Sequence, residues 1–206
     1  DLALARAVEL KEEHNAELTV INVGGAEADV TIRKALAIGA DKAIRINAEP
    51  TGSVYVAKQI AEVVKKEQYD LILMGRESID YNGGVVHGMV GALLDIPSIS
   101  PITKLNFSGE RAQVHRAIDG GTQIIEVDLP FVAGCQEPIA EWKIPNMRGI
   151  MQARTKPLVV LDAIDIEKSS LVEGHDLPEK RSDCKMIDVN NLEELVQALK
   201  NDVKVI

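Results

Sequence analysis

The residues best placed to do chemistry lie between Tyr69 and Met89, YDLILMGRESIDYNGGVVHGM. A short apolar run, Leu71 to Met74, stops at Gly75, and Asn82, Gly83 and Gly84 then precede apolar residues at helical spacing: Val86, Met89, Val90, Leu93 and Leu94. A strand, a glycine loop and a helix start in that order leave backbone N–H groups unpaired and aim the positive end of the helix dipole at the loop. Those are the elements of an anion site, and a phosphate needs no cationic side chain to bind there. A glycine-bearing connection with no ligand fits the same residues, and the run from Leu71 fits a piece of buried helix as well as a strand buried on both faces.

Other chemistries lack their residues. Neither GxxxxGK[ST] nor GxGxxG occurs, which disfavours nucleotide hydrolysis and the usual nicotinamide site. His14, His87, His115 and His175 show no HxxxH or HExxH spacing, so each reads as a surface or packing residue before a metal ligand. There is no GxSxG elbow, and neither Cys135 nor Cys184 comes with a histidine partner. The acidic pairs Glu12–Glu13 and Glu193–Glu194 read as helix-surface charge. With no catalytic constellation, the chain is expected to be a binding subunit rather than an enzyme.

A chain of 206 residues that is 46% hydrophobic holds one good-sized core with some chain to spare. Its formal net charge of −9 argues against a nucleic-acid surface, which would need clustered Lys and Arg. Two distant cysteines form no disulfide framework, and no apolar run approaches the roughly 18 residues of a membrane span. A soluble, cytoplasmic protein is expected, with no direct membrane insertion. DLALARAVELKEEH reads as an amphipathic helix with Asp1 at its cap, so the chain reads as opening in mid-fold with a segment upstream of it missing.

The elements that must position the loop alternate through Ile96. A helix from Leu2 to His14, with Leu2, Ala5, Ala7 and Val8 on one side, is followed by the strand Glu17 to Val23, broken by Gly24 and Gly25. Val30, Ile32, Leu36 and Ile38 mark a helix ended by Gly39, and KAIRI a short strand. A helix from Ser53 to Lys66 carries Val54, Ala57, Ile60, Ala61 and Val64 on one face before the strand at Leu71. This alternation predicts an α/β fold: a parallel sheet with helices on both faces and ligands beyond the carboxyl ends of its strands. From Ser98 the pattern becomes an antiparallel extension, ISPITKLNF, AQVHRAI and TQIIEVDLPFVAG, with turns at Ser108–Gly109 and Asp119–Gly121; Pro130 marks a strand start or an edge. The domain reading is 1–161 for the nucleotide-binding α/β domain and 162–206 for a C-terminal arm, ending in a short helix capped by Asn190 with Glu193 three residues on.

TIRKALAIGADKAIRI (Thr31 to Ile46), GRESID (Gly75 to Asp80), VHRAIDGGTQIIEVDLP (Val114 to Pro130) and IPNMRGIMQARTKPL (Ile144 to Leu158) resemble, in order and spacing, the electron-transfer flavoprotein beta subunit. The resemblance covers nearly the whole chain. It implies a mainly parallel Rossmann-like sheet, a heterodimer with an alpha subunit that holds the redox FAD in a mobile domain, and a structural AMP buried in the beta subunit. It also implies electrons arriving from a partner dehydrogenase, commonly an acyl-CoA dehydrogenase, and leaving to a membrane quinone oxidoreductase. The family's AMP site maps onto Val23 and Gly24 and onto Gly75, Arg76, Ser78, Asp80, Tyr81, Asn82, Gly83, Gly84, Val85 and Val86. Family members begin with a strand and a nucleotide-facing loop that this sequence does not contain.

Three departures from the family pattern stand out. Gly84, Val85 and Val86 replace the Asn, Gln and Thr common at the phosphate, so side-chain contacts give way to backbone donors and to a closer approach over Gly83 and Gly84. Ala117 replaces an acidic residue that often helps steer the flavin domain. The dehydrogenase recognition loop is shorter between Leu129 and Pro145, yet Ile144 takes the place of its hydrophobic anchor. With the resemblance, Ile144, Trp142 and Pro145 become a partner-docking patch, rimmed by Arg148, Arg154 and Lys156. Without it, Ile144 reads as core-facing and the basic residues as a solvated face. Two rivals follow: a flavin-bifurcating, NADH-oxidising relative with a second FAD in place of AMP, and an ATP-binding homodimer resembling universal stress proteins.

Overall fold

The computed structural model describes residues 1–79, 82–109, 111–167, 170, 172–180 and 184–205. Contacts divide them into two units, Asp1–Leu171 and Val172–Ile206.

In the first unit, strands and helices alternate as their apolar periods require. Helix α1 (Leu2–His14) buries Ala5, Val8 and Leu10 and leaves through Asn15 in the left-handed region, φ 52°. Strand β1 (Thr19–Val23) leads by a 3₁₀ turn, Ala26–Ala28, into α2 (Asp29–Ile38). Its buried face is Ile32, Leu36 and Ala37, whereas Val30 points to solvent, because two residues' separation puts it on nearly the opposite side of the helix from Ile32. Strand β2 (Lys42–Asn47), helix α3 (Ser53–Glu67), strand β3 (Leu71–Gly75) and helix α4 (Val86–Leu94) complete the alternation.

The long strand β4 (Ser98–Ser108) opens a meander with β5 (Arg111–Ile118) and β6 (Gly121–Asp128), antiparallel throughout. The run after Gly121 is not one strand. It stops at Asp128, and a separate strand β7 (Phe131–Cys135) starts beyond Pro130, whose ring removes the backbone donor a continuing ladder would need. β7 then inserts parallel between β3 and β4 with all five residues buried. After α5 (Met147–Ala153), strand β8 (Leu158–Asp162) pairs parallel with β2.

The strands fall into two sheets, ordered β1-β2-β8 and β3-β7-β4-β5-β6. Pairing stops at β1 and at β3, each of which has a strand neighbour on one edge only among the described residues. Both are half-buried along nearly their full length, unlike the interior strands β2 and β7.

Four apolar clusters hold the unit together. Leu10, Ile99, Ile102, Leu105, Val114 and Phe131 fill the space between α1 and the larger sheet. Ile32, Leu36, Ala40, Ala43 and Ala153 join α2, β2 and α5, and Ile44, Ile46 and Val63 join β2 to α3. Ala57, Val90 and Val132 seal α3 and α4 onto β7. Each fully buried Leu, Ile or Phe of this kind contributes about 1.5–3 kcal/mol relative to exposure.

In the second unit, α6 (Leu192–Gln197) runs on into a π-helical turn, Ala198–Val203. Its cap is Asn191 rather than Asn190: the Asn191 Oδ1 accepts the Glu194 N–H at 3.3 Å, and its Nδ2 donates to Glu194 Oε2 at 2.9 Å. The capping pair is the one expected, displaced by one residue.

Candidate functional site

Two βα connections of the first unit open at the carboxyl ends of parallel strands. β3 ends at Gly75, paired with Cys135 of β7, and its backbone is exposed there. Arg76 then donates Nη1–H to Gln136 Oε1 at 2.8 Å and pairs through Nη2 with Glu77. The loop folds back on itself where the Ser78 N–H donates to Gly83 O at 3.0 Å. Ile79 is exposed, and Asn82 takes the left-handed conformation at φ 49° that an Asx side chain tolerates. Asp80 and Tyr81, both expected at the site, lie outside the described residues.

Gly83 and Gly84 do not have positive φ, so the turn does not require glycine at either. Neighbours do not require it either: a Cβ at Gly83 would stand 4.0 Å from Ser53 Oγ, and one at Gly84 3.6 Å from the Arg76 carbonyl, both ordinary contacts. Gly84 is exposed and Gly83 half-buried, so their backbone carries no side chain of its own. α4 begins at Val86 with Val85 as its cap residue, and no side chain caps it. Among the described residues no side chain accepts its first N–H groups, and the positive end of its dipole faces that stretch of backbone. An anionic group of phosphate size fits this donor set.

The second connection leaves β1 at Val23. The Gly24 N–H donates to Ile46 O at 3.0 Å, and a Cβ on Gly24 would stand 2.9 Å from Asn22 Oδ1. Beneath this turn lies a residue that the periodicity of β2 does not single out. Arg45 is 6% exposed; its Nη1 donates to Gly24 O at 3.1 Å and to Asn47 Oδ1 at 2.9 Å, and its Nε lies 2.7 Å from Asp29 Oδ1. A charge in the middle of a buried parallel strand must be paired, so the Arg in KAIRI was the available signal. The Asn22 Oδ1 is buried without a protein partner. His87 is the other residue that spacing alone passes over. Burial lowers its affinity for a proton, and the carbonyls of Arg76 and Gly84 act in the opposite sense.

Between Gln136 and Asn146 the chain forms no regular strand or helix, and it exposes Trp142 (67%) and Ile144 (72%). Pro145 is half-buried. Asn146 caps α5, accepting the Gly149 N–H at 2.8 Å, and a Cβ on Gly149 would collide with Ala37 O, so α5 sits directly on α2. Met147 and Met151 extend the exposed apolar patch beyond the residues the sequence reading named. Arg148 and Arg154 are exposed beside it. Lys156 is not: its ammonium donates to Leu36 O at 2.9 Å and Ala40 O at 2.6 Å, closing the C-terminal end of α2. Burial and the nearby Lys11 lower its proton affinity, with Asp41 opposing.

Elsewhere in this unit a cavity of 570 Å³ is lined by Arg6, His14, Lys104, Phe107 and Ile139 among others, and none of the loop residues borders it. Among the described residues no three His, Cys, Asp or Glu side chains gather in a way that would hold a metal ion. No helix among them is long and apolar enough to cross a membrane.

The electron transfer flavoprotein domain model matches residues 2–166. The chain belongs to the electron transfer flavoprotein family. It is 34% identical to the electron transfer flavoprotein subunit beta of Bacillus subtilis, over all of this chain and 86% of that protein. Identity to the subunit beta of Syntrophomonas wolfei is 34%, over all of this chain and 83% of the relative, and to that of Bos taurus 31%, over 97% and 82%. Both candidate connections and the exposed segment from Gln136 to Asn146 fall inside the stretch matched as an electron transfer flavoprotein domain. The homodimeric stress-protein rival is set aside by this match.

Proposed function

We propose that the chain acts as the beta subunit of a heterodimeric electron-transfer flavoprotein, holding a nucleotide in the β3–α4 loop and docking a partner dehydrogenase through the segment at Ile144. The observation that carries this reading is the open backbone at Gly83 and Gly84, beside an α4 start without a side-chain cap, in a chain of this family. Glycines that neither the turn nor the neighbours require are well explained by a ligand that approaches the backbone closely.

In this reading Gly75, Arg76, Ser78, Asp80, Tyr81, Asn82, Gly83, Gly84, Val85 and Val86 surround the phosphate end of an AMP, and Val23 and Gly24 its remainder. FAD, held mainly by the alpha subunit, supplies the one- and two-electron chemistry, and this chain is a carrier subunit without catalytic residues of its own. Backbone N–H groups at the start of α4 orient the anion, and Arg45 fixes the Gly24 turn from below. Trp142, Ile144 and Pro145 form the apolar centre of a dehydrogenase-docking patch, with Arg148 and Arg154 at its rim. A quinone oxidoreductase receives the electrons, and the heterodimer works in the cytoplasm. Residues 162–206 form an arm on the alpha subunit; the exposed Leu177, Met186, Val189 and Leu192 support that assignment.

The test is to produce the heterodimer with its alpha subunit, release bound nucleotides by heat and count them. One FAD with one AMP is expected. Two FAD without AMP would assign the loop to a second flavin and the complex to the bifurcating type, and absence of any nucleotide beyond one FAD would overturn the loop assignment.

A further inference from the structure

The stretches TIRKALAIGA, Thr31 to Ala40, and MQARTKPL, Met151 to Leu158, are far apart in sequence and bonded to each other in the fold. The exchange between them is reciprocal. From α2, Arg33 donates Nη1–H to Ala153 O and to Lys156 O, at 2.7 Å each. In return the Lys156 ammonium donates to Leu36 O at 2.9 Å and to Ala40 O at 2.6 Å. Neither helix can serve these ends itself. Pro157, four residues after Ala153, has no N–H, and the Ala40 N–H, four residues after Leu36, goes to Ala35 O instead. Each helix therefore ends on a cation from the other's stretch, the sign of charge that a helix dipole favours there.

We infer that Arg33 and Lys156 are the positioning residues of the docking surface: their crossed bonds fix α5 on α2, and so hold Met147 and Met151, with Ile144 just ahead of them in the chain, in place before a partner dehydrogenase arrives. This inference rests on the docking reading above. α5 needs such a hold. Seven residues make a helix too short to persist in water by itself, and Ala153 is the one residue of the seven that is buried. Gly149 permits the close approach to Ala37 O but brings no side chain to bury. The exposed Met147 and Met151 give nothing to the seat on α2, so the polar exchange sets where they stand. A surface held in its bound arrangement beforehand loses less freedom when it is covered.

The experiment uses the heterodimer with its alpha subunit as electron acceptor from an acyl-CoA dehydrogenase reduced by its acyl-CoA, and compares the parent with Arg33→Gln, Arg33→Lys, Lys156→Gln and Ile144→Ala. The readouts are KM for the heterodimer, kcat, FAD per heterodimer and hydrogen–deuterium exchange of amides 150–156. Arg33→Gln and Lys156→Gln are expected to raise KM about fivefold or more with kcat within about twofold, to speed exchange, and to leave FAD unchanged. Arg33→Lys keeps the charge and enough donors for both carbonyls, and should return KM to within about twofold of the parent. Parent-like KM in both glutamine variants would overturn the inference whether or not exchange changes, and a raised KM in Ile144→Ala beside it would leave the docking reading intact. Loss of FAD together with the raised KM would make the effect one on the whole fold and overturn the inference too. Parent-like KM in Ile144→Ala, or a parent that accepts no electrons, would overturn the docking reading and the inference with it.

Discussion

Gln59 grips Ile164 by both of its backbone groups, donating Nε2–H to the carbonyl at 2.8 Å and accepting the N–H on Oε1 at 3.0 Å. The amide side chain is 2% exposed on a helix face otherwise occupied by apolar residues, and it does the work of a strand neighbour for a segment that has none. With the Ser170 hydroxyl donating to Thr51 O at 3.1 Å, it holds Ile164 and Ser170 against α3 and the turn before it. Gln59→Leu removes both bonds while preserving bulk, so it is expected to cost about 1–3 kcal/mol of stability for the polar groups left unpaired. Urea unfolding of the variant measures that cost, and limited proteolysis should gain an early cut between residues 162 and 172. A protease pattern identical to the parent's would show that the grip contributes nothing.

Arg45 and Asp29 form the second relationship that a single substitution reads out. Arg45→Leu leaves Gly24 O without its buried donor and Asp29 without its 2.7 Å partner. A loss of about 2 kcal/mol is expected from the charge-assisted bond to Gly24 O together with the ion pair, less than for a fully buried pair because Asp29 is partly exposed to solvent. Chemical denaturation monitors the stability. Because the Gly24 turn rests on Arg45, nucleotide retention by the heterodimer should fall as well, whereas Asp29→Asn should be milder in both measurements.

The order of strand, loop and helix from Leu71 to Leu94 was legible because backbone chemistry writes itself in local composition: glycine after a strand, glycine before a helix. The meander was legible for the same reason, its turns being fixed by Ser108–Gly109 and Asp119–Gly121. Long-range pairing was not. Nothing local to FVAGC says that β7 threads between β3 and β4, since a fully apolar strand shows no face preference and its neighbours lie about 30 to 60 residues away in sequence. Val30 misled because it lies on nearly the opposite side of the helix from Ile32 and Leu36, which a count of apolar residues does not separate. Lys156 read as a rim charge because spacing cannot show an ammonium folding back onto the end of another helix.

Cys135 and Cys184 should report the fold through their reactivity. Burial pushes the Cys135 thiol up to about 12 from its ordinary 9.0, and Cys184 is exposed. At neutral pH the native chain should lose one thiol quickly to iodoacetamide and the second only on denaturation. The sign of the linked pH effect follows from the raised value. Below pH 9 both folded and unfolded states keep the Cys135 proton; between about 9 and 12 only the unfolded state gives it up. Stability should therefore fall by about 1.4 kcal/mol per pH unit through that window from this group alone. Cys135→Ala removes this contribution, and an unchanged alkaline slope in that variant would contradict the assignment.

Ile144 offers the sharpest test of the docking surface. Its side chain is 72% exposed two residues before the Asn146 cap of α5, and α5 is held tightly to α2 at Gly149 and Ala37. An apolar anchor on a stretch stiffened from one side gives up little freedom when a partner covers it, which suits a residue carrying a large share of a small interface. Ile144→Ala is expected to slow electron transfer from the partner dehydrogenase by about tenfold or more, with the loss in apparent affinity for that dehydrogenase, while FAD and AMP per heterodimer stay at the parent level. Met147→Ala and Met151→Ala should act in the same direction and more weakly, because flexible thioether chains adapt to the surface they meet. Arg148→Ala should instead flatten the salt dependence of the encounter with little change in the bound state. Electron transfer retained at the parent rate in Ile144→Ala would move the docking site elsewhere on the chain.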